Sequence, residues 1–84
     1  MEKRVAILAI VVQNSESVTA INQLLHEYAE GIIGRMGIPH REKGFNIISV
    51  VLDAPQDVIN ALSGRVGRLD GVSAKTLYAP QGGY

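Results

Sequence analysis

The sequence predicts an α+β domain in which two helices lie on one face of a four-stranded antiparallel sheet. Two segments, Val5 to Val12 and Phe45 to Leu52, are almost continuously apolar, which is typical of strands with residues to bury on both faces. A segment with apolar residues at helical spacing follows each of them. A further short apolar segment precedes Phe45 and another ends the domain, so the order is βαββαβ.

The first half contains a strand, a helix and a second strand. Asn14 and Ser15 are good helix N-caps after the first strand, and the helix is expected to end near Gly31. Its apolar stripe consists of Val18, Ile21, Leu25, Tyr28 and Ile32, widened by Leu24 and Ala29. The second strand is expected over Ile32 to Ile38, where Gly34 and Gly37 suggest a bulge or a close backbone approach at a sheet edge.

The second half repeats the pattern after a polar turn, Pro39 to Gly44. Phe45 to Leu52 is the third strand, and Asp53-Ala54-Pro55 is the start signal of the second helix. The apolar stripe of that helix consists of Val58, Ile59, Leu62 and Val66. Asp70-Gly71 is a turn, and Val72 to Tyr78 is the fourth strand.

This order predicts a single ferredoxin-like βαββαβ sandwich over residues 1–79, followed by a flexible tail over residues 80–84. In that topology the first and third strands are central. They are also the two most apolar strands, so the local pattern agrees with the global fold.

Composition excludes several classes of protein. The chain has 84 residues and no cysteine, which excludes disulfides and a thiol nucleophile and fits a reducing cytoplasm. Eight Lys and Arg balance eight Asp and Glu, so no basic field favours nucleic acid. The longest apolar run is too short to span a membrane. A cytoplasmic protein without direct nucleic-acid binding is expected.

The second face of the sheet predicts self-association. Two helices cover only one face, yet the central strands carry aliphatic residues on both, and large exposed apolar patches mark interaction surfaces. A homodimer or a higher even-numbered oligomer is therefore expected. Single-stranded RNA binding is the rival explanation, but Ile47 and Val50 stand where an RNA-recognition domain has aromatic residues, and the chain has one Phe.

Few residues suggest chemistry. Arg35, between two glycines on an edge strand, is a candidate for contacting an anionic ligand or a partner carboxylate, although protection of the edge against aggregation explains it equally well. His40, in a turn with other cations, is a weaker candidate. No catalytic set can be assembled, and two distant histidines make no metal signal, so neither a cofactor nor a metal is predicted.

Several segments resemble one family: Lys3 to Leu8, Ile33 to Pro39, Asp53-Ala54-Pro55, and Leu62 to Gly67. They are similar to the proposed iron-only hydrogenase system regulators, which are related in fold to ACT domains and to the C-terminal domain of the nickel-responsive repressor. The resemblance implies regulation of hydrogenase expression or assembly.

The same resemblance implies where an effector binds and what the chain lacks. ACT-type domains often bind small effectors near the first strand-helix loop, which adds Asn14 and Ser15 as candidates. The repressor's DNA-binding segment has no counterpart, and its histidine ligands fall near Ile48 and Val50, so DNA binding would need another protein and nickel sensing is not expected.

Two hypotheses follow. The first is a non-enzymatic, oligomeric regulatory domain that senses a small-molecule effector or docks a protein partner. The alternative is a small enzyme of the dimeric α+β barrel type, which needs polar groups that converge in a pocket between paired sheets.

Overall fold

The computed structural model describes residues 2–81 and confirms the predicted order of elements. The four strands are β1 (Lys3–Val12), β2 (Ile32–His40), β3 (Phe45–Pro55) and β4 (Val72–Tyr78). The two α-helices are α1 (Val18–Glu27) and α2 (Gln56–Gly67). Short 3-10 turns over Ser15–Ser17 and Ala29–Gly31 flank α1. The fold is therefore the α+β, ferredoxin-like fold that the sequence predicts.

The strands form one antiparallel sheet in the order β2-β3-β1-β4, with β1 and β3 at its centre, as predicted. β1 pairs with β3 along its whole length, from Lys3 opposite Pro55 to Val12 opposite Asn46. β4 pairs only with β1, and β2 only with β3, so these two are the edge strands.

The core lies between the sheet and the helices, and strand alternation places its residues. Every second residue of β1 from Ala6 to Val12 is buried, and the same alternation in β3 buries Ile48 through Ala54. The helices contribute the buried residues Ile21, Leu24, Leu25, Ile59, Leu62 and Val66. Most of the predicted helical stripes thus pack on the sheet, with Val18, Tyr28 and Val58 partly buried at their margins. Two predicted members of the first stripe differ, because Ala29 is exposed and Ile32 belongs to β2.

Several boundaries differ from the prediction. β1 begins two residues earlier, at Lys3, and β2 continues to His40, so that Pro39 and His40 pair with β3 instead of forming the start of the predicted turn. The segment Asp53-Ala54-Pro55 continues β3 rather than starting α2, because Asp53 and Ala54 pair with β1 and Ala54 fills a buried position. The predicted first helix divides into a 3-10 turn, α1 and a second 3-10 turn. The chain tightens after Glu27, where the N–H of Gly31 donates to Tyr28 O, three residues back, at 3.0 Å.

The predicted irregularity of β2 is a register shift between Ile32 and Gly34, which is typical of a β-bulge. From Gly34 to His40 the pairing with β3 is regular. The last three residues of the predicted tail lie outside the described residues. Within residues 2–81, neither helix has the length and hydropathy needed to cross a membrane.

Candidate functional site

The face of the sheet that the helices leave open is a continuous apolar surface, which we call the outer face. The strand register aligns its residues in rows across the sheet, since directly paired residues point to the same side. One row runs Ile38, Ile47, Val11 and Ser73; the next runs Met36, Ser49, Ala9 and Lys75; the third runs Gly34, Val51, Ile7 and Leu77. Aliphatic residues therefore occupy most of three adjacent rows.

These side chains are exposed to solvent. The exposed fractions are 42% for Ile7, 36% for Val11, 59% for Met36, 51% for Ile38, 42% for Ile47 and 69% for Leu77, and Val5 adds 43% one row further along β1. An apolar surface of this continuity on a small domain is typical of a face that binds another protein surface.

Charge is confined to the margin of the outer face. Lys75 lies at the β4 end of the middle row, and Asp53 and Lys3 lie beyond the third row. The centre is formed by Ala9 and Ser49, which have small side chains. A second surface therefore meets no charge at the centre of this face.

Asn14, a predicted ligand residue, is occupied by contacts within the chain. Its Oδ1 accepts a hydrogen bond from the N–H of Glu16 at 3.0 Å, and its Nδ2 donates to Asp70 Oδ2 at 2.8 Å. The neighbouring Ser17 is buried and donates from Oγ to the carbonyl oxygen of Asp70 at 2.7 Å. Asn14 therefore joins the start of the first helical segment to the turn before β4, which agrees with its predicted role as a cap.

The other predicted residues lie apart from one another. Ser15 is exposed in the first 3-10 turn. His40 is exposed at the end of β2, opposite Phe45 and two strands from β1, which corresponds to roughly 10 Å across the sheet. His40 and Ser15 thus lie at the same end of the sheet, but no contact joins them.

Arg35 lies on the helix side of β2. Its guanidinium Nη2 donates to Oδ1 of Asn22 on α1 at 2.8 Å. Two open cavities meet at this pair: one of about 390 Å³, also lined by His26 and Ile32, and one of about 230 Å³, also lined by Pro39. We call this the α1–β2 groove. It exists because the helices leave the helix side of β2 largely uncovered, since every residue of β2 after Ile32 is exposed.

Sequence reasoning missed Asn22 as the partner of Arg35. The bulge before Gly34 decides which face of β2 carries Arg35, and no local residue pattern determines that face. The available signal was that Asn22 follows Val18 by one helical turn, so it lies beside the predicted apolar stripe.

A third polar cluster joins the two helices. Arg65 of α2 donates to Tyr28 Oη at 3.3 Å and to Glu27 Oε2 at 2.9 Å. The hydrogen bond to Tyr28, followed by that to Glu27, raises the pKa of the Arg65 guanidinium above its ordinary value. Both side chains of the ion pair are about half exposed, so the pair is worth little in free energy. Among residues 2–81 no group of three or more metal-ligating side chains converges.

Fold and surface together define a small ferredoxin-like domain with an open apolar sheet face, an architecture typical of binding modules. A model of the TM1266-like family, which comprises proposed iron-only hydrogenase system regulators, matches residues 4–76. The chain belongs to this family, as the sequence resemblance implied.

Two solved structures are similar to the chain. The protein TM1266 from Thermotoga maritima is 42% identical, with a TM-score of 0.90 over 94% of this chain and 100% of that one. A formyltetrahydrofolate deformylase from Pseudomonas putida KT2440 is 18% identical, with a TM-score of 0.64 over 90% of this chain and 29% of the enzyme. The second likeness shows a shared fold alone. No curated protein matches the sequence.

Proposed function

We propose that the chain is a homo-oligomeric regulatory subunit of the iron-only hydrogenase system, which covers its outer face with a second copy and responds to a small effector or a protein partner. The family supports the hydrogenase connection and favours a regulatory role over an enzymatic one. The observation that carries the assembly part of the proposal is the exposed apolar outer face.

The free energy available from covering this face is as large as the cost of association, or larger. The exposed fractions of its seven large aliphatic residues add up to about three and a half fully exposed side chains. Burial of one such side chain contributes about 1.5–3 kcal/mol, so full coverage contributes about 5–10 kcal/mol per copy. Both copies gain this amount, whereas association costs about 4–15 kcal/mol in lost translational and rotational freedom.

The placement of charge also supports coverage of the outer face by a second copy. Burying an unpaired charge costs several kcal/mol, but Lys75 and Asp53 lie at the margin, where they stay hydrated when the centre is covered. The balance of eight basic and eight acidic residues gives the chain no field for attracting nucleic acid. We therefore propose that regulation passes through a partner or an effector rather than through direct contact with DNA.

Within this proposal the effector contacts Arg35 in the α1–β2 groove. Open cavities of about 390 and 230 Å³ meet at Arg35, and its side-chain hydrogen bond is to a neutral amide, which an anion can displace. Both polar atoms of the Asn14 side chain already have hydrogen-bond partners within the chain. Ser15 and His40 are exposed together at one end of the sheet, and they are the second candidate site for the effector.

A thermal-shift screen over metals, amino acids and nucleotides tests the effector part. A compound at 100 times its dissociation constant stabilises the folded state by about 2.7 kcal/mol, which raises Tm by about 10–20 °C in a domain of this size. Arg35→Gln should lose the shift, and Arg68→Gln, an exposed arginine of the α2 end, should keep it. A shift that Arg35→Gln retains, or no shift from any compound, contradicts this part.

Regulation is tested in a cell that expresses an iron-only hydrogenase together with this chain. The outer-face variant Ile7→Glu should abolish the chain's effect on hydrogenase level or activity, because it opposes assembly while changing a residue that is 42% exposed. Gln23→Glu adds the same charge on an exposed position of α1 and should leave the effect intact. Equal hydrogenase levels with and without the wild-type chain would contradict the regulatory role.

A further inference from the structure

Met36 is the one large apolar side chain in the middle row of the outer face. That row runs Met36, Ser49, Ala9 and Lys75, so small residues follow Met36 across both central strands. An unbranched thioether side chain adapts its shape to irregular gaps, which suits a position beside such a shallow centre. A second copy that covers the outer face therefore also covers Met36.

The neighbours of Met36 on the outer face are mostly apolar. Ser49 lies directly opposite, and the diagonal neighbours in β3 are Ile47 and Val51, within reach of a long side chain. Lys75, the charge in the same row, lies three strands away, which corresponds to about 14 Å across the sheet. A polar group formed on Met36 therefore has the Ser49 hydroxyl as its polar neighbour in the sheet, and it loses its water when a second copy covers the face.

Met36 is within reach of oxidants in solution while the outer face is uncovered. It lies on the edge strand β2, and 59% of the residue is exposed. The chain has no cysteine to react first, and its other methionine is Met1. Oxidation converts the apolar thioether of methionine into a polar sulfoxide, which disrupts apolar contacts.

We propose that Met36 is an oxidation site through which a peroxide controls coverage of the outer face. This inference rests on the proposed function, since it requires a second copy on that face. The Met36 sulfur attacks one oxygen of the peroxide, so that the S–O bond forms as the O–O bond breaks. The sulfur loses two electrons and the peroxide gains them. The proton on the transferred oxygen passes to the leaving oxygen, which departs as water or an alcohol.

The sulfoxide opposes coverage, because its oxygen loses water beside aliphatic side chains when a second copy approaches. Coverage in turn opposes oxidation, since the second copy shields Met36 from the peroxide. Two thiols reduce the sulfoxide to the thioether and leave as a disulfide, with release of water. The chain has no cysteine to supply these thiols, so a separate thiol-dependent methionine sulfoxide reductase restores the apolar face.

Sedimentation equilibrium before and after treatment with hydrogen peroxide tests the proposal, and mass spectrometry shows whether the Met36 peptide has gained one oxygen atom. The dissociation constant of the wild type should rise roughly tenfold or more for each oxidised copy, which is the effect of burying a polar group without a hydrogen bond. Methionine sulfoxide reductase with a dithiol should restore the original dissociation constant. The circular dichroism spectrum should stay unchanged, because Met36 lies outside the core.

Two substitutions separate Met36 from other effects of peroxide. Met36→Leu keeps an apolar side chain of similar volume, so it should assemble like the wild type before and after treatment, although Met1 remains available. Met36→Gln places a polar side chain of similar length at the same position and should weaken assembly without peroxide. The proposal is wrong if peroxide dissociates Met36→Leu as it does the wild type, or if Met36→Gln assembles like the untreated wild type.

The rate of Met36 oxidation gives a second readout, with free methionine in the same solution as the reference. In the wild type this relative rate should fall as protein concentration rises through the dissociation constant, because covered copies are shielded. In Ile7→Glu, which opposes coverage, the rate should stay at the value of the dilute wild type. A wild-type rate that does not change with concentration, in a protein that does assemble, would overturn the proposal.

The same measurements distinguish this inference from the proposed function. A wild type that is monomeric without peroxide contradicts both. An assembled wild type whose dissociation constant stays the same after Met36 has gained its oxygen contradicts the oxidation site alone.

Discussion

Substitution of Gly71 by alanine tests the packing of the turn before β4. Gly71 has φ +68°, and a Cβ atom there would lie 2.7 Å from Asn14 Cβ and 2.9 Å from Asn14 N. The same Asn14 side chain caps the 3-10 turn and contacts Asp70. Gly71→Ala therefore strains its own backbone and displaces the junction between the first helical segment and the turn.

Two other glycines separate these effects. Gly44 has φ +74°, but a Cβ atom there meets nothing within 4 Å, so Gly44→Ala should cost only the left-handed backbone penalty of about 1–2 kcal/mol. Gly71→Ala should cost that amount and a further 1–3 kcal/mol, roughly, for the close contact. Gly64 is exposed within α2 with free space around it, and Gly64→Ala should stabilise the chain by about 1 kcal/mol.

Urea unfolding at one fixed protein concentration measures all three variants, because the stability of an oligomer depends on concentration. The expected order of midpoints is Gly64→Ala, wild type, Gly44→Ala and Gly71→Ala, from highest to lowest. If Gly71→Ala costs no more than Gly44→Ala, Asn14 does not hold the position that we describe.

Further substitutions test other parts of the structure. Leu62→Ala removes a fully buried side chain and should lower the free energy of unfolding by about 2–5 kcal/mol in urea titration; a loss below 1 kcal/mol would contradict its place in the core. Ser17→Ala leaves Asp70 O without its 2.7 Å donor and should cost about 1–3 kcal/mol, whereas Ser15→Ala, at an exposed position, should cost less than 0.5 kcal/mol, roughly. The raised pKa of Arg65 means that the contribution of its charge is fully present below the ordinary arginine pKa and is lost only as pH rises through the raised pKa. The difference in Tm between wild type and Arg65→Gln should therefore stay constant from pH 5 to 9, and a difference that changes across this range would refute the assignment.

The sequence predicted the parts of the fold that depend on periodicity. Continuous apolar runs identified β1 and β3 as the central strands, and helical spacing identified Ile21, Leu25, Ile59 and Leu62 as core residues. The bounds of β4 were predicted correctly because a turn signal at Asp70-Gly71 precedes it. These features are local, and the tertiary structure reinforces them.

The missed features depend on contacts between distant segments. Pairing with β1 extends β3 to Pro55, although the local sequence Asp53-Ala54-Pro55 is typical of a helix start. The bulge after Ile32 sets the face of Arg35, and the close approach to Gly71 makes Asn14 a structural residue. Among the candidate site residues, the sequence identified side chains with suitable chemistry but not the neighbours that occupy them.

Sedimentation equilibrium of the wild type and Ile7→Glu tests the central claim, that a second copy covers the outer face. One chain has a mass of 9.0 kDa. At micromolar concentration the wild type should have an even multiple of that mass. Ile7→Glu should have half the wild-type mass or less and an unchanged circular dichroism spectrum, while Gln23→Glu should match the wild type. A wild type of 9.0 kDa, or a folded Ile7→Glu with the wild-type mass, would contradict the claim.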